Sequence, residues 1–216
     1  MPHRSSRLTF AMLAVALTAG LLWALSSAPA LAHHPMGGAI PSTFVQGLLS
    51  GFGHPIIGPD HLAFVLGVGI LSALFARGYI APLVFVGGTL LGCVVHLFSL
   101  NLPVVEPVIA VSVIAVGALV VLWKAFDLRV FAIGAAIAGV FHGYAYGESI
   151  IGAEPSPLAA YLIGFAIIQS MMALAAFFGT RLLFDRNVRL ATVGVRVAGC
   201  LVAAVGLFFL SSAVVA

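Results

Sequence analysis

Six stretches of almost uninterrupted apolar residues, each close to the ~20 needed to cross a bilayer as a helix, dominate this chain. They fall at about 59–77, 79–100, 104–123, 128–149, 157–180 and 190–214. Breaks between them carry Pro and Gly: Pro82 early in the second run, Pro103 and Pro107 around the third, Pro155 and Pro157 before the fifth. A lipid-exposed backbone must satisfy its own polar groups, so such runs are read as helices. The expected fold class is an all-α integral membrane protein, a six-helix transmembrane bundle.

Residues 42–54 are apolar too but cannot span, and Gly47, Gly51 and Gly53 interrupt them. They read as a short interfacial or re-entrant helix lying against the bundle, or as a bent extension of the first span. Pro55 is expected to end a helix arriving from the N-terminal side. Gly58-Pro59 restarts one, with Pro in its first turn.

Residues 1–32 have the layout of a secretory signal peptide. Arg4 and Arg7 precede an apolar core from Leu8 to Leu25, and Ala30-Leu31-Ala32 is an A-x-A cleavage site. Cleavage leaves residues 33–216 as a single transmembrane domain that begins His33-His34-Pro35.

Only 7% of the residues are charged, against roughly 25% in soluble domains, which excludes a soluble or disordered chain. Without Arg4 and Arg7, seven basic residues face six acidic ones, so no basic patch invites nucleic acid. Cys93 and Cys200 sit in separate apolar runs and form no disulfide framework or zinc motif. The basic residues are unevenly placed. Arg77, Lys124, Arg129, Arg181, Arg186 and Arg189 lie in alternate connections, while the opposite connections carry Glu106 and Glu154. The positive-inside rule then predicts a multi-pass inner-membrane protein with both mature termini outside the cytoplasm. Asp127 and Asp185 belong to the basic loops as solvated charges.

Ionisable groups at membrane depth are costly and call for a function. One set is His54-x5-Asp60-His61. The other is Phe141-His142-Gly143-x-Ala145-x-Gly147-Glu148, and His96 lies between them, late in the second span. The expected topology puts all of these in the outer layer of the membrane. Imidazoles with carboxylates suit borderline divalent ions such as Ni²⁺, Co²⁺, Cu²⁺ and Zn²⁺, rather than Cu⁺, Mg²⁺ or Ca²⁺. His142 and Glu148 are about 240° apart on an ideal helix. One of the two therefore stands behind the site, or the helix bends. The alternative is a set of intramembrane hydrogen bonds, the stronger reading for His96 taken alone. Tyr144 and Tyr146 read as packing or interface aromatics, Met171-Met172 as gap fillers, and Gln169 as an interhelical hydrogen bond.

At these motifs the chain resembles the HupE/UreJ family of bacterial nickel and cobalt permeases. The resemblance rests on His54-x5-Asp60-His61 with its Gly51-Phe52-Gly53-His54-Pro55 lead-in, and on Phe141-His142-Gly143-x-Ala145-x-Gly147-Glu148. The leader, the His and Gly-rich stretch after it and six spans also belong to it. It departs from the family pattern at Pro59 and in the doubled His33-His34. It implies uptake of Ni²⁺, or of Co²⁺, through His54, Asp60, His61, His142 and Glu148. His33 and His34 would collect the ion, and His96 joins the candidate ligands. No enzyme activity and no tightly bound cofactor are expected, only the transported ion. The expected partners are that ion and the lipid bilayer, and a homo-oligomer stays open. No GxxxxGK[ST] motif supplies ATP chemistry. The second reading is a haem-binding membrane protein of the b-cytochrome type, with a histidine pair drawn from His61, His96 and His142.

Overall fold

The computed structural model describes residues 39–215. The expected leader, with His33 and His34, lies outside the described residues. Seven α-helices follow in order: α1 (Phe44–Ile57), α2 (Pro59–Ser72), α3 (Ile80–Leu97), α4 (Val105–Leu122), α5 (Leu128–Gly147), α6 (Pro155–Arg186) and α7 (Val188–Val215). A 3-10 turn, Glu148–Ile150, closes α5. Among the described residues every regular element is helical, and five single helices are long and apolar enough to cross a membrane. The chain is an all-α, multi-pass membrane protein.

The first span differs from the expected 59–77. Helix α2 stops at Ser72, and its 14 residues reach only about 21 Å, short of a hydrocarbon core of about 30 Å. It forms a bent pair with α1, the two helices meeting at 79° across Gly58. Pro55 does not end α1, which runs on to Ile57. Pro55 withholds one N–H, the helical donor to the Gly51 carbonyl, but the ladder resumes beyond it, with the Gly58 N–H reaching back to the His54 carbonyl at 3.2 Å. Thr43 caps the other end, accepting from the Gln46 N–H.

The two half-helices follow α6 in turn. Gly47 meets Pro157, Gly51 meets Tyr161, and Gly69, on α2, meets Ala173. A side chain at any of these glycines would strike the backbone of α6. Helix α6 is itself longer than the expected 157–180, running on to Arg186. Near its end Arg181 donates to the Phe75 carbonyl at 2.9 Å and stacks over the Phe177 ring, tying down the turn after α2.

Helices α3 and α5 lie side by side and parallel. Their contact is a seam of small residues, Gly88 and Gly92 on one side and Gly139, Gly143 and Gly147 on the other, the spacing that lets membrane helices approach backbone to backbone. Helices α4 and α7 pair in the antiparallel sense through Gly117, Gly199 and Gly206. The core inside these pairs is Phe64, Val68, Leu71, Phe85, Val113 and Val116 with their neighbours. Leu91, Val111, Ile133 and Ile163 are exposed on the outside, as lipid-facing positions should be. One end of the bundle carries Glu106 and Glu154 and is called the acidic end below. The other carries the Arg and Lys residues of the connections.

Candidate functional site

The bend at Gly58 places two helix ends together inside the protein. His54 comes from the last turn of α1, and Asp60 and His61 from the first turn of α2. Helix α5 supplies His142 and Tyr146 from its last two turns. All five side chains are buried, each at most 2% exposed.

The hydrogen bonds define how each imidazole is held. Ser149 Oγ and Tyr161 Oη both donate to the Tyr146 carbonyl, at 3.1 and 3.0 Å. The two oxygens lie 3.1 Å apart, and either can donate to the other. Both are at hydrogen-bonding distance from His54 Nδ1, 2.9 and 3.1 Å, and the Nδ1–H tautomer, with its lone pair on Nε2, is the one that lets both accept from it. A second chain starts at Ser112, whose hydroxyl donates to the Ile109 carbonyl at 2.7 Å. Ser112 Oγ lies 3.0 Å from His142 Nε2, and His142 Nδ1 lies 2.9 Å from His61 Nδ1. With the His142 proton on Nε2, His61 donates from Nδ1 and carries its lone pair on Nε2. Histidines that bind metals are commonly oriented by an outer partner on the other ring nitrogen in this way.

Tyr146 is the wall between them. Its ring lies 4.8 Å from His54 and 4.2 Å from His61, centroid to centroid. Its hydroxyl is buried and has no hydrogen-bond partner, and the same holds for Asp60 Oδ1. Asp60 stands in the first turn of α2. The N-terminus of α2 favours its negative charge, yet a buried carboxylate oxygen without a donor is costly. A cation is the partner such an oxygen can take. The set is loose: among the described residues no three His, Cys, Asp or Glu side chains are gathered as a ready-made metal site.

The structure thus brings together His54, Asp60, His61 and His142. It does not bring in Glu148, which is exposed in the 3-10 turn after α5. His96 is half-buried on the α3–α5 seam, its ring 4.2 Å from Tyr144 and its Nδ1 without a hydrogen-bond partner. Gln169 makes the interhelical bond expected of it, donating to Thr89 Oγ1 at 3.2 Å. Tyr146 packs, as expected of it, and does so against His54, His61 and Phe165, whereas Ser112, Ser149 and Tyr161 were not singled out by sequence. Helical spacing carries a signal for Tyr146, four residues after His142 and so on the same face. Ser112, Ser149 and Tyr161 declare themselves only once α4, α5 and α6 are assembled.

The chain matches the family model described as HupE / UreJ protein over residues 21–209. It is 33% identical over 121 residues to "Protein HupE" of Rhizobium leguminosarum bv. viciae, a match covering 55% of this chain and 61% of that protein. No solved structure matches it.

Proposed function

Because this chain belongs to the HupE/UreJ family, we propose that it is an inner-membrane permease for a divalent transition-metal cation, Ni²⁺ or Co²⁺, and not an enzyme. The observation that carries this reading is the bend at Gly58, which sets two oriented imidazoles and an unsatisfied carboxylate oxygen inside a membrane bundle. Broken helices whose ends meet in mid-bundle are a recurrent way to build ion sites in transporters.

The acidic end is taken as the outside, in keeping with the positive-inside rule. Glu148, exposed there, raises the local cation concentration, and His33-His34 gather scarce ion. The ion then exchanges part of its water for His54 and His61 Nε2 and for Asp60. Imidazole suits Ni²⁺ and Co²⁺, and the carboxylate neutralises charge. A loosely gathered set serves a permease, because a cation held by a complete ligand cage would not leave. A membrane potential of 100 mV supplies about 4.6 kcal/mol for a divalent ion moving inward. Residues 33–216 act as a single transport domain.

The b-cytochrome reading has less support. His61 and His142 touch through a direct 2.9 Å hydrogen bond, which leaves no room for a macrocycle between them. Asp60 beside them does not suit an apolar ring either.

The deciding experiment is metal uptake, ion by ion, in cells that lack other permeases for these metals. Saturable uptake of Ni²⁺ or Co²⁺ that depends on the chain is the expected result. No uptake of any divalent ion, or a Soret band in the purified protein, would overturn the reading.

A further inference from the structure

The face of α6 that turns Tyr161 toward His54 continues inward. Phe165, four residues on, packs edge-on against Tyr146 at 4.5 Å. Gln169 is the next residue on that face, and the helical rise sets it about 12 Å deeper than Tyr161. Gln169 is fully buried, and the following positions on the face, Ala173 and Phe177, are apolar.

The orientation of its amide is determined. Nε2 faces two acceptors, Thr89 Oγ1 at 3.2 Å and the Phe165 carbonyl at 3.4 Å. The Thr89 hydroxyl gives its only proton to the Val86 carbonyl at 2.8 Å, so toward Gln169 it can only accept. The amide nitrogen must therefore be on that side. Oε1 is the other end, buried and with no hydrogen-bond partner. An interhelical tie needs only one end of an amide, and in lipid an apolar residue would pack there at lower cost.

Gln169 also lies beside the histidine cluster. Gly143, the residue after His142, packs directly on the Thr89 backbone. Phe85, one turn before Thr89, has its ring 6.0 Å from that of His142. Gln169 and His142 thus border the same turn of α3. Beyond them toward the basic end, Val68, Leu71, Val113 and Val116 make an apolar core.

We propose that Gln169 Oε1 is the inner-edge ligand for the transported cation, taking it from the site of His54, Asp60 and His61 before it enters the apolar half of the bundle. This rests on the permease reading. A neutral carbonyl oxygen suits a hand-over point, since it replaces a water ligand without adding charge that would trap the ion.

The test is Ni²⁺ and Co²⁺ uptake by cells expressing the full chain, with maximal rate and half-saturating concentration read separately and the amount of protein in the membrane measured. Gln169→Leu should cut the maximal rate about tenfold while half-saturation moves by less than about twofold, because ions still bind at the outer histidines. Thr89→Val breaks the tie to α3 but keeps Oε1, and should lower the rate by less than about threefold. Where Gln169→Leu fails to accumulate, Gln169→Asn withdraws the oxygen by one methylene and should also lower the rate without changing half-saturation. The proposal is overturned if the Gln169 variants transport at the wild-type rate, or if Thr89→Val reproduces the full loss. The wild-type arm reports on the permease reading itself, and absence of uptake there would remove both.

Discussion

His61 and His142 share one proton between their Nδ1 atoms, 2.9 Å apart, across the contact of α2 with α5. Their chain is anchored at Ser112 on α4, so three helices position a single imidazole, that of His61. His142 has both ring nitrogens committed, one to Ser112 and one to His61. It therefore orients His61 rather than presenting a lone pair of its own.

On the permease reading, His61→Ala takes away a proposed ligand, and His142→Ala the group that orients it. Both should raise the half-saturating concentration for Ni²⁺ uptake by about tenfold or more, the usual cost of losing a metal ligand or its outer partner. Protein in the membrane should stay near the wild-type amount. His96→Ala, on the α3–α5 seam, should change half-saturation by less than about twofold. Radiometal uptake with immunoblotting checks all three. Normal uptake by His61→Ala would show the site to be misassigned.

Two hydroxyls hold His54, so their removal separates orientation from ligation. Tyr161→Phe together with Ser149→Ala frees the ring to adopt the other tautomer. Apparent affinity should fall about tenfold, with little change in the ion's maximal rate. Either single change should do less, because the remaining oxygen still accepts from Nδ1. A double variant with wild-type affinity would exclude His54 as a ligand.

The spans and the two polar motifs were legible in the sequence because lipid imposes a blunt rule: long apolar runs, and few charges that must face inward. The role of the stretch before Pro59 was not legible. Gly47 and Gly51 read as interruptions of a short apolar run, whereas they are the surface on which α1 meets Pro157 and Tyr161 of α6. Glu148 was expected among the ligands with His142 but is exposed in the 3-10 turn after α5; its spacing left open which of the two would stand away from the site. Tyr146 shows the opposite case: an aromatic at an ordinary position that becomes the wall between two histidines. Ser112 could not be found from its own neighbourhood, since a hydroxyl that returns its proton to the preceding turn is common in membrane helices.

Asp60 and Glu148 should separate by ionic strength. Asp60 is buried and keeps an oxygen without a donor, so Asp60→Asn should abolish high-affinity uptake at any salt concentration. Glu148 is exposed, and on the permease reading it acts only through the field at the entrance. Glu148→Gln should lower uptake about twofold at low salt, and the difference should vanish near 1 M salt, where the Debye length is about 3 Å. The measurement is initial uptake rate in membrane vesicles over a salt series. A loss in Glu148→Gln that persists at high salt would place this carboxylate on the ion itself.

The α3–α5 seam links packing to the site, and two glycines test that link. Gly143 faces the backbone of Thr89, where a methyl group has no room, while Gly87 on α3 faces open space. Gly87→Ala should leave thermal stability in detergent unchanged or slightly raised, since Ala favours a helix over Gly by up to about 1 kcal/mol. Gly143→Ala must push α3 and α5 apart at the residue beside His142. Backbone meets backbone here, so no side chain can turn aside, and overpacking of this kind costs about 1–3 kcal/mol. Its melting temperature should fall by several degrees, about 2–4 °C for each kcal/mol in a chain of this size. Apparent affinity for the metal should fall with it, because His142 would no longer hold the His61 ring at hydrogen-bonding distance. If Gly143→Ala melts lower but keeps wild-type affinity, the seam is a structural joint only, and the position of His61 is set by α2 without help from α5.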